Sequence, residues 1–264
     1  MNILIAIPIY AREEISLNCI KSLLETTVVP NTVNVTVSIG INKASDDLKA
    51  ILMEIVQKQG YKNIHVELTN FGKNIGKPNA VNSIANGKKF DYLVSLDGDM
   101  ICIQSNWLIG MLSVYEDYNK NPIVATMNGV PFKVPMGALC GNQFGYSCHA
   151  VDLKHPQTKQ IKAGSCNIVT VIGGGGIAGG VLMTDYATWM SIGGYDGKTI
   201  YGGDDGYYSA QCHLRKKLVA YVKEIGFYHP FEINKQYQDW KVRALQMITK
   251  TGPGLAREEM GGFF

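Results

Sequence analysis

Short β-branched runs alternate with amphipathic helical stretches through the first half of this chain, and few folds satisfy that alternation. Residues 3–7 form an apolar run closed by Pro8. Residues 13–26 follow, with Ile15, Cys19, Ile20, Leu23 and Leu24 on one face at helical spacing. Residues 33–41 read as a second strand. Ser45 is a natural N-cap for a helix whose stripe is Leu48, Ile51, Leu52, Ile55 and Val56. A third strand is expected over 64–68, and a short helix beginning at Pro78 carries Ala80, Val81, Ile84 and Ala85. Residues 92–96 read as a fourth strand, Trp107 to Tyr115 as a helix, and 123–127 as a fifth strand. Such a pattern predicts an α/β fold with a mostly parallel central sheet flanked by helices. Its ligand crevice falls at the carboxyl ends of strands one, two and four.

The rest of the chain reads differently. Residues 129–176 are rich in glycine, lysine and small polar residues and predict loops and short strands. A strand over 181–184, a helix capped by Asp185 and stopped by Gly193-Gly194, a helix over 207–217 and a strand over 218–222 follow. A last helix is expected over 233–249. With 264 residues, 46% of them hydrophobic, the chain fits one large core. We read one domain over 1–250, with a nucleotide-binding half (1–127), an acceptor-side half (128–250) and a mobile tail (251–264). The six cysteines are scattered without a Cys-x-x-Cys pair, and no run reaches transmembrane length, so a reduced cytoplasmic protein is expected. A net charge of +3 neither demands nor excludes an anionic partner.

The chemistry concentrates where the fourth strand ends, in Leu96-Asp97-Gly98-Asp99. Gly98 permits a tight turn and a close ligand approach. Two hard carboxylates at a strand's carboxyl end suit a divalent cation, manganese or magnesium, carrying a diphosphate. A plain Asp-Gly turn is the bland alternative. Two further features need explaining: Asp204-Asp205 after a double glycine, and His229. Helix capping and a backbone-bonded histidine are their ordinary readings. The Gly173 to Gly176 run is neither a Walker loop nor a dinucleotide fingerprint, because no Gly-Lys-Ser/Thr and no strand-to-helix context accompany it.

Taken together the segments resemble an inverting GT-A glycosyltransferase of family 2. Ile5-Ala6-Ile7-Pro8-Ile9-Tyr10-Ala11-Arg12-Glu13 is similar to the family's opening strand and loop. Asn74-Ile75-Gly76-Lys77-Pro78-Asn79-Ala80-Val81-Asn82 resembles its Asn-x-Gly…Asn segment. Ile192-Gly193-Gly194-Tyr195-Asp196 resembles its Gly-Gly-Phe-Asp, and Tyr201-Gly202-Gly203-Asp204-Asp205 the Trp-Gly-Gly-Glu-Asp of related galactosyltransferases. The resemblance covers residues 3 to 230. It implies that Asp99 binds the metal, that His229 is a further ligand, and that Asp97 touches the nucleotide ribose or a metal-bound water. It also implies that Asp205 is the base, with Asp204 holding sugar hydroxyls; the sequence leaves these two roles interchangeable. Two close carboxylates would raise one another's pKa, which suits a base near neutrality.

The resemblance further places Pro8, Tyr10, Asn42, Gly76, Lys77, Asn82, Asp97 and Gly98 along the crevice for a nucleotide-sugar donor. Lys77 would pair with a diphosphate, although a surface lysine is the commoner case. A UDP-sugar is the donor first expected. The family's uracil-reading aspartate after strand two is replaced here by Gly40-Ile41-Asn42, so the base stays open. The acceptor is a hydroxyl on a glycan, lipid, protein or hydroxylated nucleic-acid base. The last would use a basic patch from Lys154, Lys159, Lys162 and Arg215-Lys216-Lys217, which reads more simply as a solvated face. Cys140, Cys148, His149, His155 and Cys166 invite a zinc reading, but their spacing matches no common finger. Two alternative functions remain. One is a sugar-1-phosphate nucleotidyltransferase, disfavoured because Pro8-Ile9-Tyr10 stands where that class keeps a glycine-rich basic loop. The other is a non-catalytic sugar- or nucleotide-binding module.

Overall fold

A computed structural model describes residues 1–10, 12–58, 63–145, 158–171, 176–198 and 203–230, and five positions between 235 and 243. The first half alternates as the sequence predicts: β1 (Asn2–Tyr10), α1 (Glu13–Thr26), β2 (Asn34–Lys43), α2 (Asp46–Lys58), β3 (Ile64–Asn70), α3 (Lys77–Ala85) and β4 (Tyr92–Leu96). Then come β5 (Ile101–Cys102), α4 (Trp107–Lys120), β6 (Val124–Met127), β7 (Val130–Lys133), β8 (Met136–Gly145), β9 (Thr158–Ala163) and β10 (Cys166–Val171). β11 (Val181–Asp185), α5 (Tyr186–Ile192), α6 (Asp204–Leu214) and β12 (Leu218–His229) complete the described elements.

One sheet runs in the order β3-β2-β1-β4-β11-β8-β12-β10-β9, with β5 paired to β12. β1, β2, β3 and β4 are parallel, and β8 and β12 are parallel to each other. β11 lies antiparallel between β4 and β8. The sheet is therefore mostly parallel, with carboxyl ends gathered on one edge. Strand alternation splits the core in two. Ile3, Ile5, Ile7 and Ile9 face α1, α2 and α4, while Leu4 and Ala6 face the side covered by α3, α5 and α6. Ser45 Oγ accepts the Leu48 N–H at 3.1 Å, and Asp185 Oδ1 accepts the Thr188 N–H at 2.7 Å, so both expected caps are made.

Two expectations are corrected. Residues 124–127 do not join the sheet; they pair with β7 in a separate hairpin. Asn128-Gly129, both at positive φ (52° and 80°), form its turn, the Asn-Gly signal for a two-residue hairpin. Within the stretch expected to hold loops and short strands, residues 136–145 form a ten-residue strand inside the sheet. Its glycines hid it. A Cβ on Gly137 would lie 2.9 Å from Cys212 Sγ, and one on Gly141 would enter the Phe227 ring, so close packing excludes the bulky residues that announce a strand. The expected helix over 233–249 and the tail fall almost wholly outside the described residues.

α3 is tied to the Gly193–Asp196 turn by Asn82. Its amide donates to Tyr195 O and its oxygen accepts the Tyr195 N–H, both at 2.9 Å. Gly194, at φ 83°, sits against Asn82 Oδ1. Gly194→Ala adds left-handed strain and pushes on that clamp. It should lower unfolding free energy by about 2–3 kcal/mol, read by urea denaturation. A loss under about 0.5 kcal/mol would show that the clamp contributes little.

Candidate active site

Chain reversal between β3 and β4 builds the site. β2 and β3 lie on one side of β1, and β4 on the other, so the crevice opens at the carboxyl ends of β1 and β4. Asp97-Gly98-Asp99 leaves β4 there. The Asp97 N–H donates to Gly180 O at 2.8 Å and Met100 N–H to Asp97 O at 3.1 Å, closing a tight turn. Gly98 lies directly on β1: a Cβ would stand 3.0 Å from Pro8 O. The turn then runs into β5, whose Ile101 pairs with Tyr228 at the end of β12. That pairing delivers His229 to the loop, and His229 Nε2 stands 3.1 Å from Asp99 Oδ2.

The later acids reach the same place from the other half. Lys77, at the start of α3, is 20% exposed. Its Nζ lies 2.6 Å from Asp97 Oδ1, 2.9 Å from Asp204 Oδ2 and 2.8 Å from Gly179 O. It is not a surface lysine; it joins the donor loop to the first acid of α6. Burial alone would lower the Lys77 ammonium, but Asp204 and Asp97 outweigh it and hold it well above its usual range. Asp97 is pushed up to about 6, chiefly by burial. Lys77 pulls it down, while the Asp99 and Asp204 carboxylates push it up further. Asp204 is buried and committed to Lys77. Asp205 is half-buried and accepts from Gly179 N–H at 3.0 Å and from Gly206 N–H at 2.8 Å. Gly203, at φ 81°, is the N-cap of α6, and Asp205 Oδ1 meets one first-turn donor, the Gly206 N–H, while its Oδ2 reaches out of the helix to Gly179.

Other expected residues divide. Pro8 and Tyr10 end β1 beside the turn. Asn42 is 2% exposed and its oxygen accepts Ile75 N–H at 3.2 Å, so it braces the 74–76 loop that carries Gly76. Asn82 is occupied by Tyr195 rather than turned to the crevice. Two features escaped the sequence reading. Arg12 Nη1 stands 2.6 Å from Asp99 Oδ2. Its signal was a charged residue directly after the first strand. The 177–180 backbone is the other: Ala178 O accepts from Cys140 Sγ (3.1 Å) and Gln143 Nε2 (3.4 Å), with Gly179 and Gly180 bonded as above. Gly179 and Gly180 admit this crowding because a Cβ on either would collide, with Lys77 Nζ and Gln143 Oε1 respectively.

At Asp99 one carboxylate and one imidazole are set where a divalent ion could take both. Two ligands about 2.1 Å from one ion at right angles are about 3 Å apart, the spacing of Asp99 Oδ2 and His229 Nε2. Among the described residues no group of three His, Cys, Asp or Glu is arranged to hold a metal, and Arg12 lies on the oxygen concerned. Cys148, His149 and His155 of the zinc reading lie outside the described residues, as do Tyr201 and Gly202. Within the basic patch Arg215 donates to Ser191 O, Lys216 sits over Phe132, Lys217 donates to Thr188 Oγ1 and Lys162 to Ser165 O, while Lys159, Lys162, Arg215 and Lys216 stay exposed. Lys154 lies outside the described residues.

Residues 4–134 match the description "Glycosyl transferase family 2". No curated protein sequence matches the chain. Among solved structures, a Pyrobaculum calidifontis mannosyltransferase, in complex with GDP-Man and Mn2+, superposes with TM-score 0.65 at 11% identity over 94% of this chain and 61% of its own. S. aureus TarS (residues 1–349) gives 0.61 at 11% identity, covering 100% and 70%. GalNAc-T7 with UDP, GalNAc and Mn2+ gives 0.63 at 12%, covering 98% and 55%. The chain thus spans 61% of the mannosyltransferase's length. No helix among the described residues is long and apolar enough to cross a membrane. Residues 4–134 thus carry the pattern of glycosyl transferase family 2, and the described chain has the GT-A fold of these solved structures.

Proposed function

We propose that the protein is a metal-dependent, inverting glycosyltransferase that moves one sugar from a nucleoside diphosphate to an acceptor hydroxyl. The observation that carries this is Lys77, whose one ammonium holds Asp97 of the donor loop and Asp204 of the acceptor side in a single site. Asp99 and His229 would hold the divalent cation, manganese or magnesium, with Asp97 behind them. Once bound, such an ion supplies Lewis-acid stabilisation to a departing diphosphate, worth several kcal/mol. Pro8, Tyr10 and Gly98 border the donor crevice. Asp205 takes the acceptor's hydroxyl proton, because Asp204 is neutralised by Lys77 and turned away from that task. The acceptor oxygen bonds to the anomeric carbon as the bond to the diphosphate oxygen breaks on the opposite face; the diphosphate leaves with the electron pair and the configuration inverts.

Complexes of similar folds contain GDP-Man, UDP-GlcNAc or UDP, so both uridine and guanosine donors are to be tried. Cys19, Cys102, Cys140, Cys166 and Cys212 are free, and the four buried ones fit a reducing compartment such as the cytoplasm. The test is incubation with nucleotide sugars and manganese. Nucleoside diphosphate, released without pyrophosphate, is the expected product. Pyrophosphate would instead establish a nucleotidyltransferase, and binding without turnover a silent module.

A further inference from the structure

Arg12 is placed where the cation is expected. Its Nη1 lies 2.6 Å from Asp99 Oδ2, the same oxygen that faces His229 Nε2 at 3.1 Å. The pair is well covered: the Arg12 side chain is 8% exposed, that of Asp99 15% and that of His229 12%. Arg12 adopts φ 55°, ψ 50° immediately before α1, a left-handed conformation that costs a non-glycine residue about 1–2 kcal/mol. The backbone is thus bent in the way that carries the guanidinium over the β4–β5 turn. A divalent ion bound to Asp99 Oδ2 and His229 Nε2 would lie within a few ångströms of that guanidinium, and two cations so close in a poorly solvated site repel strongly.

We propose that Arg12 is the resident counter-ion of the cation site: it holds Asp99 in place before metal arrives and must leave Oδ2 for metal to bind. The inference rests on the metal assignment made above and adds a residue and an order of events to it. Metal affinity is then set by competition. Only the fraction of molecules with Arg12 off Asp99 is competent, so apparent affinity is reduced by that fraction. The displaced guanidinium, a planar five-donor group, is suited to the diphosphate that follows the ion into the crevice. Metal and donor then reinforce each other, since each favours the state in which Arg12 has left Asp99.

Calorimetric titration of manganese chloride alone, without donor, tests this on the full chain as wild type, Arg12→Ala and Arg12→Lys. Arg12→Ala should bind manganese about tenfold more tightly than wild type, and Arg12→Lys should stay close to wild type. Equal or weaker binding by Arg12→Ala overturns the exchange while leaving the metal site standing. Absence of manganese binding in all three, with each melting cooperatively, overturns the metal assignment and this inference with it. Should Arg12→Ala not fold, Arg12→Gln carries the same comparison, because it too removes the charge.

Discussion

Asp205→Asn should lower sugar transfer by roughly 10²- to 10⁴-fold while leaving donor binding within about twofold of wild type. The substitution is close to isosteric. The amide oxygen can still accept one of the two N–H groups that Asp205 accepts, Gly179 at 3.0 Å or Gly206 at 2.8 Å, so the local turn loses one hydrogen bond rather than both. An amide does not take up a proton near neutrality, so the acceptor hydroxyl keeps its own. The loss should fall in kcat with the donor KM little changed, the signature of an interaction used only in the transition state. Asp204→Asn should behave differently. It withdraws a negative charge from Lys77 at 2.9 Å and should weaken donor binding as well as rate. Wild-type transfer by Asp205→Asn would move the base to another residue.

Asp99→Ala should abolish manganese-dependent nucleotide binding, a fall of about a hundredfold or more. It removes the oxygen that faces both His229 and Arg12. In thermal shift, nucleoside diphosphate with manganese should raise the wild-type melting temperature, because a ligand of the folded state alone stabilises it. The variant should show no such rise. Removing one partner of a covered ion pair also costs stability, about 2–4 kcal/mol, since Arg12 is left without that counter-charge. Asp99→Asn is the milder companion: it preserves shape and hydrogen bonding to Arg12 while weakening metal ligation. A full manganese-dependent shift in both variants would remove Asp99 from the metal site.

Period-3.6 and period-2 patterns gave the α/β first half because helix and strand faces there are exposed on one side or wholly buried, and each leaves a distinct signature. Glu13–Thr26 needed no tertiary information. Met136–Gly145 did: its small residues answer to Phe227 and Cys212, partners far away in the chain. The twelve-residue β12 was read only in its first five residues, because a register shift between Val222 and Gly226 breaks the alternation. At the site, Asp97, Asp99, Asp204, Asp205 and His229 were legible as residue types at known spacings. How they are engaged was not. Lys77 reads as solvent-facing from its local sequence, and only α3's position against β4 and α6 turns it into a tie between two carboxylates. Asn42 and Asn82 read as ligand-facing amides, yet each serves a backbone group 33 or 113 residues away. Side-chain direction at a strand or helix end is set by its neighbours, which local patterning does not encode.

A single measurement bears most directly on whether one cleft joins a cation-held leaving group to a carboxylate base: anomalous diffraction at the manganese edge from crystals grown with manganese and a nucleoside diphosphate. One peak should lie within about 2.3 Å of Asp99 Oδ2 and His229 Nε2, with the diphosphate on it, Arg12 moved off Asp99, and Asp205 facing the same hollow. A peak bound elsewhere, or diphosphate seated without metal against an unmoved Arg12–Asp99 pair, would contradict the account.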